Sequence, residues 1–112
     1  MNHLPKDIRV EIEFLTESSG GRKKSCFNGY RPQFFYHGHD WDAVHQYIGT
    51  EEVKPGEKTE AYLTFLSPDQ HYGKVYKGMP FLIREGNRAV GFGSVLEIID
   101  LPNSAQEGKD TT

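Results

Sequence analysis

The stretch from Ile8 to Leu15 limits the possible folds more than any other part of the chain. Ile8, Val10, Ile12 and Phe14 share one parity, and Arg9, Glu11 and Glu13 share the other. A period of two over that length describes a strand with one buried face, because a helix would scatter the same residues around its circumference. Ala61, Leu63 and Phe65 repeat the pattern within residues 60 to 66. Two further apolar runs, at 79 to 84 and 89 to 99, are separated by Glu85-Gly86-Asn87-Arg88. That tetrapeptide reads as a hairpin connection in which Gly86 or Asn87 supplies a positive φ. Gly91 and Gly93 interrupt the apolar positions of the last run, which implies bending or close backbone approach of the kind a barrel requires.

Turn signals divide the rest. Ser18-Ser19-Gly20-Gly21 ends the first strand, and Arg22-Lys23-Lys24 falls in an exposed loop. Pro32 cannot donate to a ladder, so it belongs at the start or edge of the strand containing Gln33 to Tyr36. His37 to Asp42 reads as a polar loop, Val44 to Ile48 as a short strand, Lys54 to Glu57 as a Pro-Gly turn, and Ser67 to Gly78 as a long loop. No segment has a sustained helical period. The expectation is therefore an all-β domain, either a closed barrel or a sandwich, spanning residues 8 to 99. Residues 1 to 7 and 100 to 112 read as polar tails. A chain of 112 residues fits one domain, with no internal repeat, and its initial Met1 suggests a complete small protein.

Charge narrows the possible partners. The formal net charge is −3, so any contact with RNA has to come from a local basic patch. Cys26 is the one cysteine, which rules out an intramolecular disulfide. It follows Lys23 and Lys24, which could depress its pKa, or it is a small buried apolar group in a strand. No signal-peptide layout and no membrane-spanning apolar run is visible, so the expected location is the cytoplasm, with no membrane partner.

Three stretches together resemble the third (C-terminal) domain of translation elongation factor Tu. They are GGRKKSCFNGYRPQFFY at 20 to 36, VKPGE at 53 to 57 with the later Ser67-Pro68, and FLIREGNRAVGFGSVLEII at 81 to 99. They occur in the family's order and with similar separations. The resemblance implies a closed six-stranded antiparallel β-barrel that acts as a non-catalytic binding module. It further implies tRNA or a translation-factor protein as partner. The positions it assigns to RNA or partner binding are Arg22, Lys23, Gln33, Glu85 and Gly86, with Glu85 and Gly86 able to meet a ribose 2′-hydroxyl. Asp42 departs from it near a family threonine that contacts tRNA, and Ser67 stands where some members carry a cation. The family hydrolyses GTP in a separate N-terminal domain. This chain has no G-x-x-x-x-G-K-[ST] cradle, so no nucleotide hydrolysis, no bound nucleotide and no cofactor is expected.

Two other readings arise from the residues themselves. His37, His39 and His45 lie close together with Asp40 and Asp42, and two imidazoles on one strand face could hold zinc or nickel, which would make a small metal-dependent enzyme conceivable. The favoured expectation is that there is no metal. Phe34, Phe35, Tyr36, Trp41 and Tyr47 form an aromatic surplus that, if exposed, would anchor a protein-interaction or regulatory surface unrelated to tRNA. Arg31 and Arg84 are candidates for structural ion pairs with Glu11, Glu13 or Glu85.

Overall fold

Alternation leaves β1 (Ile8–Phe14) with one face to bury, and the chain buries it by closing a sheet on itself. The computed structural model describes residues 4–110. β1 pairs antiparallel with β6 (Lys58–Phe65) on one edge and with β8 (Arg88–Ile98) on the other. The circuit continues from β6 through β4 (His39–Tyr47), β3 (Gln33–Tyr36) and β7 (Pro80–Glu85) back to β8. The result is a closed six-stranded antiparallel barrel. Closure satisfies every ladder and leaves no edge strand in the barrel. A short ladder of β2 (Cys26–Phe27) with β5 (Glu52–Val53) pairs Cys26 with Val53 and adds both side chains to the core.

The inward parities meet as one core. Ile8, Val10, Ile12 and Phe14 are buried together with Ala61, Leu63 and Phe65, as their alternation demands. Phe34 stacks on Phe81 at 4.4 Å between centroids and meets Phe65 edge-on at 5.1 Å. Closing so narrow a barrel brings backbones close. A Cβ on Gly93 would lie 2.4 Å from the Glu11 carbonyl oxygen and 2.8 Å from the Phe81 ring, so only glycine fits there. Gly86 supplies the positive φ of the β7–β8 hairpin, at 63°.

Three expectations are corrected. His37 to Asp42 is not a loop: β4 begins at His39, and only His37 and Gly38 turn, with φ of 48° and 81°. Cross-strand pairing with β3 from Tyr36↔His39 to Gln33↔Asp42 extends the strand through a polar stretch that propensity alone leaves open. The C-terminal segment is not a tail as far as it is described. Leu101–Asp110 forms α1, the one α-helix among the described residues. Its inner face comprises Leu101, Ser104, Ala105 and Gly108, the i, i+3, i+4, i+7 positions of a helix. Because three of the four are small, the period is hard to see in hydrophobicity, yet small residues allow the helix to settle closely on the Pro68–Gln70 turn.

The N-terminal segment is also anchored, through Asp7, whose side chain is fully buried. One carboxylate oxygen accepts from the Phe65 amide at 2.8 Å and the other from the Ser104 hydroxyl. The Asp7 carbonyl accepts from the Ile99 amide at 2.9 Å and the Leu101 amide at 3.3 Å. A single residue thus joins β6, the end of β8 and α1. Burial raises its carboxyl pKa, and the Ser104 and Phe65 hydrogen bonds offset only part of that.

Replacing Leu101 with alanine should lower the free energy of unfolding by about 2–4 kcal/mol in urea titrations, as for other buried leucines. An effect within about 0.5 kcal/mol would mean that α1 does not pack on the barrel.

Candidate functional site

The register of the barrel gives it two distinct ends. At one end lie Phe14, the Glu85–Arg88 hairpin and the loop after β1. At the other lie Asp7, α1, the Pro68–Gln70 turn and the His37–Gly38 turn. The first end gathers most of the residues singled out in the sequence. Arg22 and Glu85, sixty-three positions apart, form an ion pair through Nη1 and Oε2. Tyr30 donates its hydroxyl to the same Glu85 oxygen, and the Arg22 guanidinium lies 4.8 Å from the centre of the Tyr30 ring. Arg88 approaches the other Glu85 oxygen at 3.8 Å. Gly86 sits exposed at the hairpin tip beside them.

Tyr30 links this surface to the core. Its ring meets His45 edge-on at 5.4 Å and Phe14 at 6.3 Å. Partial burial works against ionisation of Glu85, but the Tyr30 hydroxyl and the two guanidinium groups outweigh it and hold the carboxyl below its usual range. Burial, reinforced by Glu85, pushes the Tyr30 hydroxyl far up, so it remains a donor. The outcome is one fixed carboxylate surrounded by the side chains of Arg22 and Arg88, with Lys23 and Lys24 exposed on the adjoining loop.

Gln33 is brought near through the sheet. It pairs with Arg84, the residue before Glu85, on one side and with Asp42 on the other. Its Oε1 is buried and has no protein hydrogen-bond partner. Asp42 is exposed beside it, so its negative charge borders the cluster. Ser67 is not brought in, since it opens the Pro68–Gln70 turn at the α1 end. Arg88 and Tyr30 were not among the binding positions expected from the sequence. The signal for Arg88 was its cross-strand partnership with Glu85, visible only once the hairpin register is known, and Tyr30 meets Glu85 only through the closed fold.

The remaining candidates separate. His45 is buried in the barrel, 2 % exposed, whereas His37 and His39 lie exposed at the far turn. Six residue steps of extended strand separate His39 from His45, about 20 Å, so the three imidazoles do not converge. No group of three or more His, Cys, Asp or Glu able to hold a metal occurs among the described residues. Phe34, Tyr36 and Tyr47 are core residues, while Phe35 and Trp41 are half-buried, so the aromatic surplus mostly fills the barrel. Arg84 pairs with Asp40 at 3.6 Å and lies over the Phe35 ring, and Arg31 makes no ion pair among the described residues. The expected Arg31 and Arg84 partners among Glu11, Glu13 and Glu85 are therefore not the ones used. Cys26 is buried, and burial pushes its thiol up to about 11, with Arg22 offsetting only part of that. It is the small apolar group of the two alternatives. No helix among the described residues is long and apolar enough to cross a membrane.

Comparison with known protein families adds one finding. The family model described as the elongation factor Tu C-terminal domain matches residues 3–99, which covers all six barrel strands and the Arg22–Glu85 cluster.

Two measurements follow from the buried groups. Cys26 should resist a thiol reagent at neutral pH in the folded protein and react fully in denaturant; fast native reaction would place it at the surface. Burial also lowers His45 from the usual 6.5 to about 3 and His71 to about 4. Both are favoured neutral, so their stabilisation is complete above pH 6.5 and is lost as the pH falls toward those values. The loss is about 1.4 kcal/mol per pH unit for each imidazole. Asp7 acts in the opposite direction and restores part of the loss as it protonates. Urea midpoints should therefore drop between pH 6.5 and 4, and a ring-proton titration of either histidine near 6.5 in the folded state would contradict the assignment.

Proposed function

The chain belongs to the elongation factor Tu C-terminal domain family, and from that premise we propose that it is a translation-related binding module whose Arg22–Glu85 end meets the phosphate–ribose backbone of a tRNA. The family's domain is a non-catalytic β-barrel that works by contact. One observation supports the RNA reading above the rest. In a chain of net charge −3, Arg22 and Arg88 both meet the Glu85 carboxylate at one end of the barrel, and Lys23 and Lys24 stand exposed on the loop that carries Arg22. Such a patch supplies the local positive field that RNA backbone binding needs.

Each member has a role in this reading. Lys23 and Lys24 are exposed and free to neutralise phosphates. Arg22 is held by Glu85 and Tyr30, so it presents its remaining N–H groups in a fixed direction at little entropic cost. The Glu85 carboxylate accepts hydrogen bonds, and Gly86 has no side chain to keep a ribose away. Gln33 contributes an amide at the edge, and Asp42 weakens binding there by repulsion. With so few cations, affinity is modest and strongly dependent on salt.

Amide resonances of Arg22, Lys23, Gln33, Glu85 and Gly86 should shift together on titration with aminoacyl-tRNA at low salt. Replacing Lys23 and Lys24 by alanine should lessen the slope of log K against log salt by about two. Shifts confined to other surfaces, or none at high tRNA concentration, would reject RNA contact and leave a translation-factor protein as the partner to test at the same end.

A further inference from the structure

The opposite end of the barrel carries a cleft that the RNA reading does not use. Tyr36, His37, His39, Trp41 and Lys74 line a space of about 230 Å³. Its position follows from strand parity. His39 and Trp41 continue the inward-facing series Ala43, His45, Tyr47 of β4, opposite Tyr36 and Phe34 of β3, but are less buried than that series, so their rings form the mouth of the barrel. Asp40 and Asp42 belong to the other parity, and Asp40 faces Arg84 on the outer wall. The carboxylates of this strand therefore point away from the cleft.

Two of the lining rings, Tyr36 and Trp41, are held from behind by His71, which is fully buried. The Tyr36 hydroxyl and His71 Nδ1 share a hydrogen bond of 2.7 Å, and Trp41 meets the His71 ring edge-on at 4.8 Å. His71 itself stacks on Phe65 at 4.1 Å. Its Nε2 is buried with no protein hydrogen-bond partner, directly behind two walls of the cleft. The His37 ring rests against Tyr36 at 4.9 Å, held there by a backbone with a φ of 48° that a non-glycine residue seldom adopts. Lys74 closes the remaining side with a cation. The Asp69 charge acts on His71 from the same loop and opposes that of Lys74 there.

Aromatic rings around a space of this size, with one ammonium at the rim, suit a planar heterocycle that carries an anion. The volume holds a nucleobase but not a whole nucleotide, which leaves sugar and phosphate at the edge where Lys74 stands. We propose that this cleft is a second binding site, which takes the base of a phosphorylated nucleotide unit between its aromatic walls and the phosphate on Lys74. Stacking supplies affinity with little base preference, and the lysine distinguishes a nucleotide from a nucleoside. The unit could arrive free or as part of a single strand of RNA.

Trp41 is the one tryptophan in the chain, so intrinsic tryptophan fluorescence reports on this cleft directly. Adenosine monophosphate should change its emission saturably, and adenosine and inorganic phosphate should each bind about tenfold more weakly or not at all. Lys74→Ala should weaken adenosine monophosphate binding by about tenfold while leaving the circular dichroism spectrum and thermal midpoint unchanged. Arg22→Ala should leave the titration as it is, which separates this site from the RNA face. A short single-stranded RNA that binds more tightly than the mononucleotide identifies the ligand as part of a strand, and equal or weaker binding identifies it as free; both support the site. No saturable change with any probe up to about 10 mM, or equal affinity in Lys74→Ala, would overturn it.

Discussion

Everything in this molecule depends on the pairing of β1 with two strands at once. Its hydrogen bonds to β6 and β8 turn an open sheet with two exposed edges into a barrel with none. The circle is small, so inward side chains must interlock and some positions must have none. Gly93 meets that requirement where β8 passes over the Glu11 backbone. Closure also settles where function can reside. The backbone of the walls is committed to ladders, and the Arg22–Glu85 cluster and the aromatic cleft lie at the two ends, on strand ends and the turns that join them.

The ends are tied to the barrel by different chemistry. At one, Tyr30 reaches from the core to a surface carboxylate and fixes Arg22 beside it. At the other, the buried Asp7 carboxylate satisfies an amide of β6 and a hydroxyl of α1. Both are polar links that become costly once one partner is removed, because the remaining group is left in a poorly solvated place. They connect segments far apart in sequence, and so hold each end in a single arrangement.

Charge is distributed to match. The chain as a whole is acidic, yet Arg22 and Arg88 both meet Glu85 at its hairpin, while Arg9 on the outer wall is occupied by Glu60 and Glu97. The far mouth is aromatic, with a single lysine. The two ends of the barrel thus differ in character.

The strands from Ile8, Glu60, Met79 and Ala89 could be read from the sequence because period two and turn residues are local properties, and the structure agrees with them within a few residues. The GGRKKSCFNGYRPQFFY and FLIREGNRAVGFGSVLEII motifs likewise pointed to the family. Other features needed the fold. The polar start of β4 is a strand because β3 pairs with it, and α1 is a helix whose small inner face gains its burial from the Pro68–Gln70 turn and Asp7. The partners of Glu85 and Arg84, and the separation of His45 from His37 and His39, come from strand register and barrel closure. Sequence by itself determined which segments must bury a face; tertiary structure alone decided which distant side chains meet, because closing the barrel sets those distances.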